Sequence, residues 1–338
     1  MEQLKLIAGN SNPELAAGIS AKLGTPLVDA LVSHFPDGGT KVVINDNIRG
    51  KDCFVIQSTC PPVNDNLMEM LIIIDALRRA SADRITAVIP YFGYSRQDRK
   101  HAGRVPITAK LVANLIVQAG AHRVLCVDLH AEQLQGFFDI PVDHLHSQPV
   151  MMERITQLNL EKPLILSPDA GSMKRVYSFA RALNFPLAMI DKERTSDSSV
   201  RAGLVVGNIE GMDVIIIDDM IATGGSLAQA VSIAQQRGAR TVYAYASHPL
   251  FSGRALQKLK DLPVGELGVT DSVPVKKAPD GVNLKILSLA DIVSETIWRI
   301  HKNESISQML ERRHAQSSAR LVRKSEDETP GLITETRN

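Results

Sequence analysis

The chain has 338 residues, 44% of them hydrophobic, which is enough length and apolar content for two domains of roughly 150 residues each. Its 38 Lys and Arg residues nearly balance its 37 Asp and Glu residues, and the net charge of +1 excludes a general electrostatic attraction to nucleic acid or to a membrane surface. The three cysteines lack metal-ligand spacing and the amino terminus lacks the features of a signal peptide, so we expect a cytoplasmic protein.

Strand-like and helix-like segments alternate in the first half of the chain. Asn64, Asp65 and Asn66 are predicted to cap a helix whose apolar face includes Leu67 and Met70. The residue pattern predicts strands over residues 4–8, 53–58, 85–90 and 123–128, and helices over residues 12–23 and 107–119.

Two loops of the first half carry side chains suited to a nucleotide. Residues 34–40, HFPDGGT, lie between two strand-like runs, and an aromatic ring beside an acid could clamp a flat base there; a plain hairpin turn is the alternative. Residues 91–106 are rich in Tyr and Arg and include Arg96 and Arg99. This second loop could hold a polyphosphate, or it could simply be a solvated surface loop.

The second half of the chain repeats the alternation. Strands are predicted over residues 164–169, 187–192 and 241–250, and helices over residues 173–183 and 289–302. The pattern therefore predicts an α/β protein with two similar parallel-sheet domains. We expect domains over residues 1–147 and 148–314, and a disordered tail over residues 315–338, which is charged and poor in large apolar side chains.

The most informative stretch is VIIIDDMIATGGS, residues 214–226. Its branched residues predict a buried parallel strand that places Asp218 and Asp219 close to the turn that follows. The following residues, SLAQAVSIAQQRG, have helical spacing, and the amino-terminal end of such a helix attracts an anion. The stretch thus predicts a phosphate-binding loop, with a strand-turn-helix connection bearing solvated acids as the alternative.

Four further residues follow predicted strands. His130 and Asp169 could organise Mg²⁺ directly or through water, since ligands gather at the carboxyl ends of parallel strands. Lys192 and Arg194 could stabilise the charge on a transferring phosphoryl group. The alternatives are a hydrogen-bonded structural role for His130, a helix cap for Asp169, and ordinary surface charges for the two cations.

Taken together, these segments resemble the ribose-phosphate pyrophosphokinases. The resemblance rests on FPDGG, QSTCPPVNDNLMEM, YFGYSRQDRK, VDLHAEQLQGFF, SPDAGSMKRV, IDKER, VIIIDDMIATGGS and YASHPLFSG, and it covers residues 4–312. It implies two tandem type I phosphoribosyltransferase-like domains with parallel sheets flanked by helices. It also implies Mg²⁺-dependent transfer of the diphosphoryl group of ATP to the 1-hydroxyl of ribose 5-phosphate, in a homohexamer or another dimer-based homo-oligomer.

The resemblance also implies a role for individual residues. Lys192 and Arg194 would be catalytic, and His130 and Asp169 would bind the metal. Residues of the ATP site would be Phe35, Asp37, Gly38, Gly39, Arg96 and Gln97, with Phe35 stacked on adenine. Residues of the ribose 5-phosphate site would be Arg194, Asp218, Asp219, Ala222, Thr223, Gly224, Gly225 and Ser226, with both acids on the sugar hydroxyls. Residues of a regulatory phosphate or ADP site would be Arg49, Ser81, Ser305 and Ser307.

The chain departs from the family pattern in its ligand loops. Gly39 stands where Glu is usual, Ser172 where Gly is usual, and Ala222 where Asp is common; Ser226 replaces a Thr. The main hypothesis is an active pyrophosphokinase. The departures leave open a catalytically weak or silent associated subunit, and the shared phosphate loop leaves open a phosphoribosyltransferase.

Overall fold

The computed structural model describes residues 3–191 and 204–310. These residues form two large sheets flanked by helices and one separate hairpin. Lys192, Arg194 and the predicted tail over residues 315–338 lie outside the described residues.

The first sheet has five strands, all parallel, in the order β1-β4-β5-β6-β7. A separate antiparallel hairpin is formed by β2 and β3. In chain order the elements are β1 (Leu4–Ala8), α1 (Pro13–Leu23), β2 (Ala30–His34), β3 (Thr40–Ile44), β4 (Asp52–Ile56), α2 (Val63–Arg79), β5 (Arg84–Ile89), α3 (Thr108–Ala119), β6 (Arg123–Val127) and β7 (Val142–Leu145).

The second sheet has seven strands in the order β10-β9-β8-β11-β12-β13-β14, and only β10 runs antiparallel to its neighbour. Its elements are α4 (Gln148–Ile155), β8 (Pro163–Ser167), α5 (Met173–Leu183), β9 (Leu187–Asp191), β10 (Leu204–Val206), β11 (Asp213–Ile221), α6 (Gly225–Gln236), β12 (Thr241–Pro249), α7 (Ala255–Leu259), β13 (Glu266–Thr270), β14 (Leu284–Leu287) and α8 (Ala290–Lys302).

Both sheets are buried on both faces, which explains their unbroken apolar strands. On β11, Val214 and Ile216 pack on the side of α6, whereas Ile215 and Ile217 pack on the side of α4 and α5. Successive side chains of a strand point to opposite faces, so a strand covered on both faces needs apolar residues at every position. The predicted α/β fold with two parallel sheets is therefore confirmed.

The last helix of the second half returns to the first sheet. Ile292, Val293 and Ile297 of α8 share an apolar core with Leu15 and Ile19 of α1 and with one face of the first sheet. The chain therefore crosses between the two sheets twice.

Buried carboxylates are paired with arginines at the amino-terminal edge of each sheet. Asp52 at the start of β4 is bound by Arg84 at 2.5 and 2.8 Å. Asp213 at the start of β11 is fully buried and accepts hydrogen bonds from Arg240 and from the backbone N–H of Glu161. Burial would raise the pKa of Asp213, but these donors outweigh it and hold the pKa below its usual range.

One local detail differs from the sequence-based expectations, and one open alternative is resolved. The predicted cap at residues 64–66 is wrong: α2 begins at Val63, and Asn66 is buried, where its amide donates to Cys60 O. Pro62 occupies the N-cap position, and its ring has no oxygen that could accept a hydrogen bond, so the helix starts without a side-chain cap. Residues 34–40 do form the turn of a hairpin, between β2 and β3.

The three cysteines are buried and unpaired, as expected for core residues. None of the helices within residues 3–191 and 204–310 combines the length and apolarity needed to cross a bilayer.

We predict that Asp213→Asn lowers the free energy of unfolding at pH 7 by about 2 kcal/mol, because it weakens the hydrogen bonds that the buried carboxylate accepts from Arg240 and from Glu161 N. The folded-state pKa of Asp213 is depressed, so its contribution is present above the unfolded value of about 3.9 and is lost as pH falls through the folded pKa. Urea unfolding curves at pH 7 and at pH 3 measure this effect. The difference in the free energy of unfolding between variant and wild type should be smaller at pH 3 than at pH 7. The exposed Asp280→Asn serves as the control, and equal losses in both variants would contradict the prediction.

Candidate active site between the two sheets

A cavity of about 590 Å³ lies where the carboxyl ends of strands from both sheets meet. This volume is typical of sites for small-molecule ligands. Its lining includes His130 after β6, Asp218 on β11, Arg175 on α5, and Asp98 and Arg99 from the loop after β5. The first half thus supplies an imidazole and the second half an acid and a guanidinium to the same space.

A short hydrogen bond joins the two halves at this cavity. His130 Nδ1 lies 2.5 Å from Asp219 Oδ2, although the two residues are 89 positions apart in the chain. The His130 side chain is 40% exposed, whereas that of Asp219 is only 7% exposed. The hydrogen bond to Asp219 raises the pKa of His130 above its ordinary value.

The neighbouring acids Asp218 and Asp219 have opposite electrostatic environments. Burial, together with the adjacent charge of Asp219, raises the pKa of Asp218 to about 7. Burial would also raise the pKa of Asp219, but the hydrogen bond from His130 and the charge of Arg175 outweigh it and keep its pKa low. Arg175 Nη1 lies 3.5 Å from Asp219 Oδ1 and 3.9 Å from Asp218 Oδ1. Near neutral pH the pair therefore combines one fixed carboxylate with one group that can hold a proton.

The predicted phosphate loop has the expected strand-turn-helix geometry. β11 ends at Ile221, Gly224 adopts a left-handed φ of 72°, and α6 begins at Gly225. The positive φ favours glycine, and a side chain at Gly224 would also meet Leu259 at 3.2 Å. All five predicted residues, Ala222, Thr223, Gly224, Gly225 and Ser226, lie in this one turn, where Thr223 and Ser226 are exposed.

Asp169 adopts the capping role that the sequence left open. Its Oδ1 accepts hydrogen bonds from Ser172 N at 2.9 Å and from Ser172 Oγ at 3.1 Å, which closes a short 3₁₀ helix over Ala170–Ser172. Among the described residues, no hydrogen bond occupies Asp169 Oδ2, so this oxygen is available to a ligand.

The structure adds a second cluster that the sequence reasoning missed. Asp128, His144 and His146 offer three ligand atoms within 4.8 Å of one another. The two histidines stand two positions apart at the end of β7 and therefore face the same side. The cluster is already hydrogen-bonded, since His144 Nε2 accepts from Leu129 N at 2.9 Å and His146 Nδ1 lies 3.3 Å from Asp128. Burial lowers the pKa of His144 to about 4, so this ring is neutral.

The predicted nucleotide residues of the hairpin lie apart from this cavity. Phe35 is 49% exposed, with Lys41 Nζ 5.8 Å above its ring, and Asp37 Oδ1 accepts a hydrogen bond from Gly39 N at 3.0 Å. Gly38 occupies the turn with a left-handed φ of 91°. The hairpin contributes no residue to the 590 Å³ cavity.

Arg96 and Gln97 line a neighbouring cavity of about 310 Å³, together with Tyr91 and Tyr94. Gln97 Oε1 accepts a hydrogen bond from Thr108 at the start of α3. Phe92 of the same loop is instead a core residue, so only part of this segment is free to bind a ligand.

The four residues predicted for regulation are all exposed at the opposite, amino-terminal edge of the first sheet. Gly50 N, next to Arg49, donates to Ser81 O at 2.8 Å. Arg84 Nη1 donates to Asn303 Oδ1 at 3.3 Å, which brings the segment of Ser305 and Ser307 close to the start of β5.

Of the residues near the cavity, the sequence reasoning missed Arg175 as well as His144 and His146. A signal for Arg175 was present, because it stands in the first turn of the helix that directly follows the strand-end segment SPDAGS. The predicted catalytic pair, Lys192 and Arg194, lies outside the described residues.

Two family models match the chain. Residues 4–120 match the N-terminal domain of ribose phosphate pyrophosphokinase, and residues 201–311 match the phosphoribosyl synthetase-associated domain. The matches cover the hairpin, the Arg96 loop and the phosphate loop.

Named relatives cover nearly the whole described chain. The chain is 49% identical over 312 residues to a ribose-phosphate pyrophosphokinase of Vibrio cholerae, and this match covers 91% of the chain and 99% of the relative. It is 47% identical over 313 residues to a ribose-phosphate pyrophosphokinase of Pasteurella multocida, with the same coverage. The crystal structure of phosphoribosylpyrophosphate synthetase from Mycobacterium smegmatis superposes with a TM-score of 0.84 at 40% identity, covering 89% of this chain and 99% of that one. The chain therefore belongs to the ribose-phosphate pyrophosphokinase family.

Proposed function

We propose that this chain is a ribose-phosphate diphosphokinase, which transfers the diphosphoryl group of ATP to the 1-hydroxyl of ribose 5-phosphate and releases AMP. The observation that carries the proposal is the 2.5 Å contact between His130 and Asp219. It joins the first half of the chain, which carries the predicted nucleotide loops, to the strand that precedes the predicted phosphate loop. Family membership supports the same reaction.

The acceptor sugar is held by the strand-turn-helix of β11 and α6. Its 5-phosphate binds the backbone N–H groups and hydroxyls of residues 222–226, where the amino-terminal end of α6 favours an anion. Asp219 stays ionised and accepts a hydrogen bond from a ribose hydroxyl, while Asp218 can accept or donate according to its protonation. Arg175 holds both carboxylates in position at 3.5 and 3.9 Å.

In the reaction, the 1-hydroxyl oxygen of ribose attacks the β-phosphorus of ATP, and the bond from that phosphorus to the α–β bridging oxygen breaks. Phe35 and Asp37 bind the adenine, and Arg96 and Gln97 bind the nucleotide phosphates or ribose. Lys192 and Arg194 stabilise the negative charge that spreads over the transferring group, which is the main requirement of such transfers.

Mg²⁺ fits the donors that remain free. Asp169 Oδ2 and His130 Nε2 form no hydrogen bond among the described residues; the carboxylate oxygen would bind Mg²⁺ directly, and the imidazole would bind it through a retained water. The ion would neutralise phosphate charge at this point. The hydrogen-bonded, nitrogen-rich cluster at Asp128 suits Mg²⁺ less well.

The exposed hairpin supports a homo-oligomeric enzyme. Phe35 is half exposed and does not line the cavity of its own chain, so its adenine-binding role is best served at a contact between subunits. A regulatory phosphate or ADP site would use the amino-terminal edge that carries Arg49, Ser81 and Ser305.

We also propose that the domains divide near residue 147, between β7 and α4, and that the enzyme works in the cytoplasm.

The activity itself is the first prediction. The purified protein with Mg²⁺, ATP and ribose 5-phosphate should produce AMP and phosphoribosyl pyrophosphate, and Lys192→Ala should slow this by at least about 100-fold, because it removes a cation from the transition state. Lys277→Ala, at an exposed position, is the matched control. Absence of product from the wild-type protein would instead favour a silent associated subunit, and formation of AMP from adenine and phosphoribosyl pyrophosphate would favour a phosphoribosyltransferase.

Arg175→Gln tests the clamp on the two acids. Loss of this positive charge should raise the pKa of Asp218 further, because Arg175 lowers it in the wild-type protein. The pH dependence of the KM for ribose 5-phosphate should therefore shift to higher pH, whereas Arg175→Lys should keep the wild-type profile. An unchanged profile with a uniformly lower rate would show that Arg175 has only a structural role.

Gly39→Glu tests the departure in the nucleotide loop. A Cβ at this position would lie 3.3 Å from Asp37 Oδ1 and 3.7 Å from the Phe35 ring, so the new carboxylate starts beside both proposed adenine contacts. We expect the variant to prefer ATP over GTP more strongly than the wild type does, since it gains an acceptor for the adenine amino group. Competition assays with both nucleotides measure this preference, and equal ratios would show that position 39 does not read the base.

A further inference from the structure

The phosphate loop rests on the segment that follows β12. Ser252 N donates to Ala222 O at 2.8 Å, which ties this segment to the start of the turn. A Cβ atom built on Gly224 would lie 3.2 Å from Leu259 Cγ, so α7 packs directly against the left-handed residue of the turn. Side chains of α7 are therefore held close to the loop.

Lys258, next to Leu259 on α7, brings an ammonium group to the phosphate loop. A Cβ atom built on Gly225 would lie 3.6 Å from Lys258 Nζ and 3.9 Å from Thr223 Oγ1. The cation and the hydroxyl thus approach the same point, at the first residue of α6. Among residues 3–191 and 204–310, no carboxylate forms an ion pair with Lys258.

The negative charge of a bound phosphate and of the neighbouring acids favours a cation at the sugar-phosphate site. A phosphate monoester carries between −1.5 and −2 charges near pH 7. Residues 222–226 offer N–H groups and hydroxyls but no formal positive charge, and the nearby pair Asp218 and Asp219 adds negative charge. Arg175 is already engaged by those two acids. Within the described part of the chain, Lys258 is an unpaired cation directly beside the turn.

We propose that Lys258 binds the 5-phosphate of the sugar and gives the site its selectivity for a phosphorylated acceptor. This inference rests on the proposed function, because it assigns one more residue to the same sugar-phosphate site. Position 222 favours the role, since Ala222 places no carboxylate in the turn that would compete with the ligand for the ammonium group.

Lys258→Ala should raise the KM for ribose 5-phosphate about ten-fold, which corresponds to about 1.4 kcal/mol of binding free energy. The KM for ATP and the kcat at saturating sugar phosphate should stay close to wild type. Lys260→Ala removes the same charge at the end of the same helix and is the matched control. Lys258→Arg, which keeps the cation, should bind ribose 5-phosphate within about three-fold of wild type.

Calorimetric titration of the full chain with ribose 5-phosphate in the presence of Mg²⁺ separates this inference from the reaction. Weakened binding in Lys258→Ala alone supports the role of Lys258, even if the wild-type protein forms no AMP and the proposed reaction fails. Equal weakening in Lys258→Ala and Lys260→Ala would overturn it as a general charge effect. Unchanged binding in Lys258→Ala, in a wild-type enzyme that does form AMP, would overturn it and leave the proposed reaction standing.

Discussion

The buried carboxylate of Asp128 fixes how the two sheets meet, and the rest of the site depends on it. Its Oδ2 accepts hydrogen bonds from Ser147 N at 3.1 Å and from Ser247 Oγ at 2.5 Å, and its backbone carbonyl accepts one from His248 Nε2 at 3.0 Å. Burial would raise the pKa of Asp128, but hydrogen bonds from His146 and these serines hold it far below its usual range. Because His130 follows two residues later, the same junction sets its distance from the second sheet.

The acids at the amino-terminal edges of the two sheets serve a different purpose from the acid pair near the carboxyl end of β11. At the amino-terminal edge, Asp52 and Asp213 are saturated by arginines and serve stability. At the carboxyl edge, Asp218 and Asp219 share the guanidinium of Arg175 and the imidazole of His130. Carboxylate oxygen atoms therefore remain available to a ligand, and the raised pKa of Asp218 lets that residue hold a proton. Parallel sheets impose this division, because the carboxyl ends of the strands and the turns that follow them lie on one side.

The sequence was most informative where local chemistry alone determines structure. The unbroken apolar run before Asp218 predicted β11, and the Gly pair predicted the turn before α6, because both follow from burial and backbone geometry. The same reasoning failed for Asn66, whose amide is used in a tertiary contact rather than a cap. It also could not find the contact of His130 with Asp219 or the approach of Lys258 to the loop, since residue periodicity reports which face is buried but not which distant segment covers it.

The return of α8 to the first sheet has a consequence for biosynthesis. The face of that sheet that carries Leu4, Phe54 and Leu125 shares its core with Ile292 and Ile297 of α8. A ribosome makes these last residues only after nearly the whole described chain has emerged, so the first half waits with this apolar face incompletely covered. Until α8 docks, this apolar face is covered only in part, and exposed apolar surface of this kind favours aggregation of a nascent chain.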